Sequence, residues 1–425
     1  MVAKTDIKFY VHTNNNAPQL QNAYGSMINV LDACLVDGIH IGSISSLTAS
    51  GKTVTATFSS AHNLMQYQVI KITGATQAEF NGEHRILTIP DSSSLTFELA
   101  AAPSVLTATG AISASLPPLG WEKPFSSSNP NGGGKAAYRS LSLLLPSRPF
   151  LRVVDELDPA YTATYAKYAK VGIVEDMTDI DTMLGVQAPF DAANSNKNWV
   201  GIGSGTAAIN GWARWYYAHG QHVITSSVDS GAPASGNRNW MFVGTKDNFF
   251  FMPAPLISSA DALLYGFGSF ESLIDLDQSN TFLSATVNSV SVATAFAKST
   301  FTPLSSVSNN ALLSDCLLLQ RKYSQEGVSN TSAISTIYTG STVMYSGSSN
   351  YIAATSLIPT VPQSDIFIRE SGNILRGRVP LVSFLFQNKP YSNNQIFSKD
   401  NDAYIAKDIG AFNAYGQIVI KIGDL

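Results

Sequence analysis

Charge is scarce in this chain. Of its 425 residues only 13% are Asp, Glu, Lys or Arg, with a balance of −4, where folded proteins usually carry about a quarter. No basic field is available to draw in a phosphate backbone, which argues against nucleic acid as a partner. Cysteine is nearly absent as well. Cys34 and Cys316 are the only two, too few for a disulfide framework or a four-thiolate zinc site, and both are expected as buried reduced thiols. No apolar run has the length needed to cross a bilayer, and residues 1–16 lack the apolar core of a secretory signal. The expectation is a protein made and assembled in the cytoplasm, without membrane insertion.

Catalytic fingerprints are also missing. There is no Gly-x-Ser-x-Gly elbow, and neither cysteine stands in a nucleophile signature. The run Asn131-Gly132-Gly133-Gly134-Lys135 suggests a phosphate loop, but that pattern needs a Gly where Asn129 stands and a Ser or Thr where Ala136 stands. His219 and His222 lie close enough to share a metal, yet no third ligand or flanking carboxylate is nearby. Asp176, Asp179 and Asp181 resemble half of a calcium loop without its central Gly and terminal Glu. Asp155, Glu156 and Asp158 do not show the facing arrangement that a glycosidase pair requires. No catalytic residue, cofactor or metal ligand is assigned from these groups.

What the chain does have is a 44% apolar content, enough to fold, and a length that suits two or three domains. Residues 7–11 alternate as a short strand. Leu20, Tyr24, Met27, Leu31 and Cys34 or Leu35 then recur at helical spacing, with Asn16 placed to cap the helix and Gly38 to end it. Short runs rich in Val, Thr, Ile and Phe follow at 54–58, 68–73, 84–89, 95–99 and 111–114, which predicts a small β-sandwich or barrel. Residues 117–135 are rich in Pro, Ser and Gly and read as a linker or loop that Trp121 and Phe125 pin to a neighbouring surface. Strand-like segments then dominate at 150–154, 170–174, 212–217, 240–243, 248–252, 342–345, 379–386 and 417–422, with helical candidates only at 261–264 and 309–319. The predicted class is mainly β and multidomain. It comprises an N-terminal strand and amphipathic helix (1–43), a small β domain (44–116), a linker (117–135) and a large sandwich- or jelly-roll-like domain (136–425).

The most unusual cluster is Trp212-Ala213-Arg214-Trp215-Tyr216-Tyr217. Strand alternation sends Trp212, Arg214 and Tyr216 to one face and Trp215 and Tyr217 to the other. One set suits the core and the other is covered by something else; core packing is the first reading, and Trp212, Arg214, Trp215, Tyr216 and Tyr217 are the candidate interaction surface for a subunit or, after that, a glycan.

Several landmarks carry a resemblance. They are Ile7-Lys8-Phe9-Tyr10, Ala17-Pro18-Gln19-Leu20, the run from Gly25 to Gly38, Phe80-Asn81-Gly82-Glu83, Gly120-Trp121-Glu122-Lys123, Lys135-Ala136-Ala137-Tyr138-Arg139-Ser140, Leu151-Arg152-Val153, Glu175-Asp176-Met177-Thr178-Asp179 and Arg376-Gly377-Arg378-Val379-Pro380. In this order they resemble a family of uncharacterised tailed-bacteriophage virion structural proteins, with residues 187–362 departing most from it. The resemblance implies a non-enzymatic virion component without an assigned active site. Its expected partners are other virion proteins and copies of itself. A tail-associated position, at the baseplate or as an appendage, is the leading expectation. A capsid-decoration protein is the alternative, and a receptor-binding protein recognising host surface glycan is the second.

Overall fold

The computed structural model describes residues 3–204, 211–220, 231–257, 259, 262–287, 317–326, 363–370, 374–385, 389–411 and 414–425. The fold is mainly β, with several sheets and, among the described residues, one short α-helix.

At its centre is a sheet of six strands in the order Lys8–Val11, Trp240–Gly244, Asn248–Pro253, Tyr265–Ser269, Thr281–Ser284 and Leu317–Leu319, antiparallel throughout. Successive side chains on a strand point to opposite faces. Tyr10, Phe242, Phe249, Phe251, Phe267 and Leu283 accordingly enter one core, while Phe9, Met241, Val243, Phe250, Met252 and Phe282 enter another. A sheet covered on both faces needs apolar residues at every position. That is why residues 240–243 and 249–252 show no polar alternation.

The first core is closed by a second sheet. Its order is Thr286–Val287, Ala213–Ala218, Lys167–Met177, Phe150–Glu156, Gly133–Ser140 and Trp121–Ser128, with Met183–Ala188 paired to Lys167–Met177. The opposite core is closed by a C-terminal sheet of Glu271–Ser272, Ile374–Leu385, Ala414–Asp424, Asp402–Ala411 and Ile396–Lys399, with Gln363–Glu370 paired to Ile374–Leu385. The large part of the chain is therefore β-rich, as expected of a sandwich- or jelly-roll-like domain, and is built as three stacked sheets.

The small β module holds seven strands between Ile39 and Leu116. Strand Ile39–Ser50 pairs with Gly110–Leu116 through its first half and with Thr53–Phe58 through its second. The sheet folds over along this strand, and His84 stacks on Phe97 at 4.3 Å where its two arms meet. The predicted strand at 84–89 is split into Gly82–Arg85 and Thr88–Asp91.

Three expectations need correction. The helix is shorter than its periodicity suggests. It runs from Ser26 to Asp32 and widens into a π-turn over Ala33–Asp37, ending at Gly38 with φ 80°. Upstream, Leu20 forms a bridge with Arg238, and Trp240 Nε1 donates to Pro18 O at 3.0 Å. Gly25 sits in the left-handed region with φ 86°. These long-range contacts hold residues 17–25 out of the helix although Leu20 and Tyr24 fit its spacing.

Residues 1–43 are also not a separate unit, because strand Lys8–Val11 is an edge of the central sheet, paired with Trp240–Gly244. Finally, residues 117–135 are not a linker. Trp121–Ser128 and Gly133–Ser140 form a hairpin of the second sheet, its Pro, Ser and Gly residues falling on an edge strand and a turn. Trp121 is pinned as expected, packing on Phe249 and Phe267 and donating Nε1–H to Thr245 O.

A buried carboxylate ties the helix to the second sheet. Asp155 is fully enclosed. It accepts hydrogen bonds from the Gly25 N–H at 2.8 Å, the Met27 N–H at 3.2 Å and Tyr217 Oη at 2.6 Å. It thus supplies from a distant strand the acceptor that the helix start lacks locally. Burial pushes its carboxyl up to about 6, against the opposing pull of these bonds.

Raised above its unfolded value near 3.8, Asp155 binds its proton more tightly in the folded protein. Its contribution to stability is therefore full below about pH 4 and lost as pH rises through about 6, a swing on the order of 3 kcal/mol. Asp155→Asn removes this dependence. Denaturant midpoints measured from pH 4 to 7 should fall less steeply for the variant than for the wild type, and parallel curves would show that Asp155 does not titrate in this window.

Candidate functional site

The aromatic cluster is the first place to look for a binding surface, and the structure puts it inside. Trp212, Arg214, Trp215, Tyr216 and Tyr217 are exposed by 2, 2, 0, 3 and 0%. Alternation works as expected on one side. Trp215 stacks on Tyr265 with centroids 5.7 Å apart and donates Nε1–H to Ser284 O, while Tyr217 reaches Asp155. On the other side the Arg214 guanidinium lies 4.3 Å over the Tyr168 ring and donates to Tyr216 Oη at 2.7 Å. Tyr168 packs edge-on against both Tyr216 and Tyr161. Arg214 and Tyr216 are thus covered by the chain's own tyrosines and Trp212 lies under the Lys197 ammonium, so these five buried residues do not form the interaction surface that the sequence suggested.

The acidic groups separate in the same way. Asp155 caps the helix, Glu156 accepts from Asn129 Nδ2, and Asp158 takes the Lys170 ammonium at 2.8 Å together with the Ala160 and Gly201 N–H groups. Burial pushes Asp158 up, but Lys170 and the two amides outweigh it and hold the carboxyl below its ordinary value. Asp181 binds Lys135 and Arg152, and Asp179 closes its own turn by accepting from the Asp181 and Thr182 N–H groups. Lys135, at the end of the Gly-rich run, is therefore committed to Asp181; Gly132 lies in the hairpin turn, and Gly133 and Gly134 open the following strand. His219 is buried. His222, Cys316, the predicted strand at 342–345 and most of the predicted helix at 309–319 lie outside the described residues. Among the described residues no three His, Cys, Asp or Glu side chains converge as a metal cluster.

Sequence reading missed the densest polar centre. Arg376, fully buried, binds Asp277 through Nε and Nη2 at 2.9 and 2.8 Å and Glu370 through Nη1 at 2.8 Å. Glu370 also accepts the Tyr323 N–H, and Asp277 accepts from Ser272 Oγ and the Ser279 N–H. Burial raises Asp277, but these bonds together draw it below its ordinary value. The arrangement joins the C-terminal sheet to the loops at one end of the central sheet. Its only sequence signal was Arg376 within one of the landmarks, and its partners lie 99 and 6 positions away.

The other landmarks make similar cross-links. Glu83 pairs with Lys8, Lys123 with Asp32, Arg139 with Glu122, and Tyr138 Oη donates to Asp32. All of these are ties between segments.

A second feature that the sequence reading passed over is an apolar rim. Leu141, Leu143 and Leu144 are exposed by 52, 81 and 87%. Their loop is held to the end of the central sheet by the Ser140 Oγ to Lys246 O bond, and to the segment before Trp121–Ser128 by the Leu141 N–H to Gly120 O bond. Ser147 Oγ reaches Gln320 at the same end, where Leu276 and Tyr323 are also exposed. The signal for this rim was in plain view as Ser140-Leu141-Ser142-Leu143-Leu144-Leu145.

A scan of the sequence against protein-family models gives no match, and a search of curated proteins gives none either.

Arg376→Met should destabilise the protein by about 3–5 kcal/mol, because it leaves Asp277 and Glu370 buried without their cation. Chemical denaturation checks this. A loss under about 1 kcal/mol would mean that the acids relax to solvent and that the triad does not bind the sheets together.

Proposed function

We propose that the chain is a non-enzymatic structural component of a tailed-phage virion, associated with the tail at the baseplate or as an appendage. The carrying observation is the exposed leucine rim, Leu141, Leu143 and Leu144, on a body whose other landmarks are internal ties. Contiguous exposed apolar side chains at one end of a packed domain are the mark of a contact surface. The low charge content supports the same reading, since interface cores are depleted of charged residues. The candidate carboxylates are consumed by structural contacts, so no catalytic step is assigned to them. Host-glycan recognition loses its main support, because the aromatic cluster that suggested it faces the interior.

The test is cryo-electron microscopy of purified virions with this chain traced in the map. Density at the tail is the expected result, with Leu143 and Leu144 against a neighbouring subunit. Density on the head would replace the tail assignment with capsid decoration, and absence from mature particles would overturn the structural role.

A further inference from the structure

A cleft of about 690 Å³ opens where the N-terminal strand, the small β module, the turn at residues 245–248 and the C-terminal sheet meet. Five of its lining side chains are acidic against three lysines. Glu83 is paired with Lys8, Glu271 with Arg378, and Asp424 with Lys421. Asp6 and Asp247 have no salt-bridge partner among the described residues. Lys246 also lines the cleft without a salt-bridge partner among the described residues, and Lys4 is a second cation on Asp424, so the lining as a whole is close to balanced and Asp247 is a local negative charge within it.

The turn within it has a second property. Thr245 Oγ1 accepts the N–H groups of both Asp247 and Asn248 at 3.0 and 3.3 Å, folding the two residues into the cleft wall. Opposite them Gly268 stands in register with Asn248, where a Cβ would come within 2.5 Å of the Asn248 Cα. In this tight corner Asp247 Oδ1 and Asn248 Oδ1 are both shielded from solvent and accept no hydrogen bond from the protein. Asn248 as a whole is only 8% exposed. A buried acceptor without a partner costs about 1–3 kcal/mol, and native proteins seldom keep such groups. Two on consecutive residues, one of them a carboxylate oxygen, are a place where a cation would supply the missing partner.

The donor chemistry selects which one. The ligands at hand are a carboxylate oxygen and an amide oxygen, with the Thr5 and Ser269 hydroxyls also in the lining. With neither His nor Cys in the lining, zinc and copper are disfavoured. Magnesium demands near-ideal octahedral geometry, whereas calcium accepts an irregular set of oxygens completed by water. We propose that this cleft binds a calcium ion through Asp247 Oδ1 and Asn248 Oδ1. Binding there stabilises the junction of the central sheet with the small β module and the C-terminal sheet, because a ligand held only by the folded state adds to its stability.

Trp121 supplies the readout, since its Nε1 donates to Thr245 O at 3.1 Å and so places an indole beside the turn. The full-length protein, stripped with chelator, is titrated with Tb³⁺ under tryptophan excitation and then with competing Ca²⁺ or Mg²⁺. The expected result is saturable emission from one site, displaced by Ca²⁺ but not by equal Mg²⁺, and a Ca²⁺-dependent rise in Tm. Asp247→Ala should weaken Ca²⁺ binding by about tenfold or more, while Asn248→Asp, which adds a charged ligand, should tighten it. Absence of saturable Tb³⁺ emission and of any Tm rise in the wild type up to roughly 10 mM Ca²⁺ overturns the site. Unchanged affinity in both variants overturns it as well, by placing the ion elsewhere. The wild-type titration decides the matter even if Asp247→Ala fails to fold, and neither result depends on where the protein sits in a particle.

Discussion

A sheet buried on both faces has no side free for polar residues, and that constraint organises the rest of this molecule. Strands Trp240–Gly244 and Asn248–Pro253 send alternate side chains into two different cores. Each outer sheet can then be polar only on its far side and at its edges. Charge is pushed to the rims and to the seams between sheets, which is one physical reason why 13% suffices for a chain of this length. The aromatic content follows from the same geometry, because Phe242, Phe249, Phe251, Trp215 and Tyr265 fill the span between two sheets.

The charges that do enter the interior sit at seams between segments remote in sequence. Asp155 joins the second sheet to the helix start, and Arg376 joins the C-terminal sheet to the loop that carries Asp277. Arg85 joins the small β module to both ends of the chain. It donates to the carbonyls of Lys4, Tyr67, Ile422 and Ile7 at 2.7–3.0 Å, and burial draws its guanidinium down to about 10. Such contacts add little net stability compared with well-packed apolar residues. What they penalise is misdocking. A sheet shifted by one residue would strand a buried charge at a cost of several kcal/mol, whereas apolar faces alone tolerate sliding.

This division explains what was legible in the sequence. Strands at 150–154, 170–174, 240–243, 248–252 and 417–422 were readable because β-branched and aromatic runs bounded by turns are a local signal. The small β module was readable for the same reason. The helix start was not, because residues 17–25 are held in place by Arg238 and Trp240, more than two hundred positions away. The hairpin over 121–140 was hidden because edge strands tolerate the Pro, Ser and Gly that usually announce a loop. The aromatic cluster was readable as a strand, but nothing local revealed that Tyr168, backed by Tyr161, would pack over Arg214 and Tyr216. The Arg376 triad was invisible because its geometry exists only after two sheets have met.

The same separation bears on what the surface can do. Asp155, Asp158 and Asp181 are each neutralised or bonded within a few ångströms, and a carboxylate so engaged cannot serve as a free general base without breaking the contact that positions it. Leu143 and Leu144, by contrast, stand in solvent at 81 and 87%, where each loses the 1.5–3 kcal/mol or so that burial of a leucine provides. Their loop nonetheless is fixed at its base by Ser140 and Arg148, whose Nη1 donates to the Ser140 carbonyl. An anchored apolar loop loses less conformational entropy on meeting a partner than a free one would. Interior pairing and rim exposure are therefore complementary: the first fixes the body, and the second is a place where a neighbouring subunit could gain apolar burial without reorganising it.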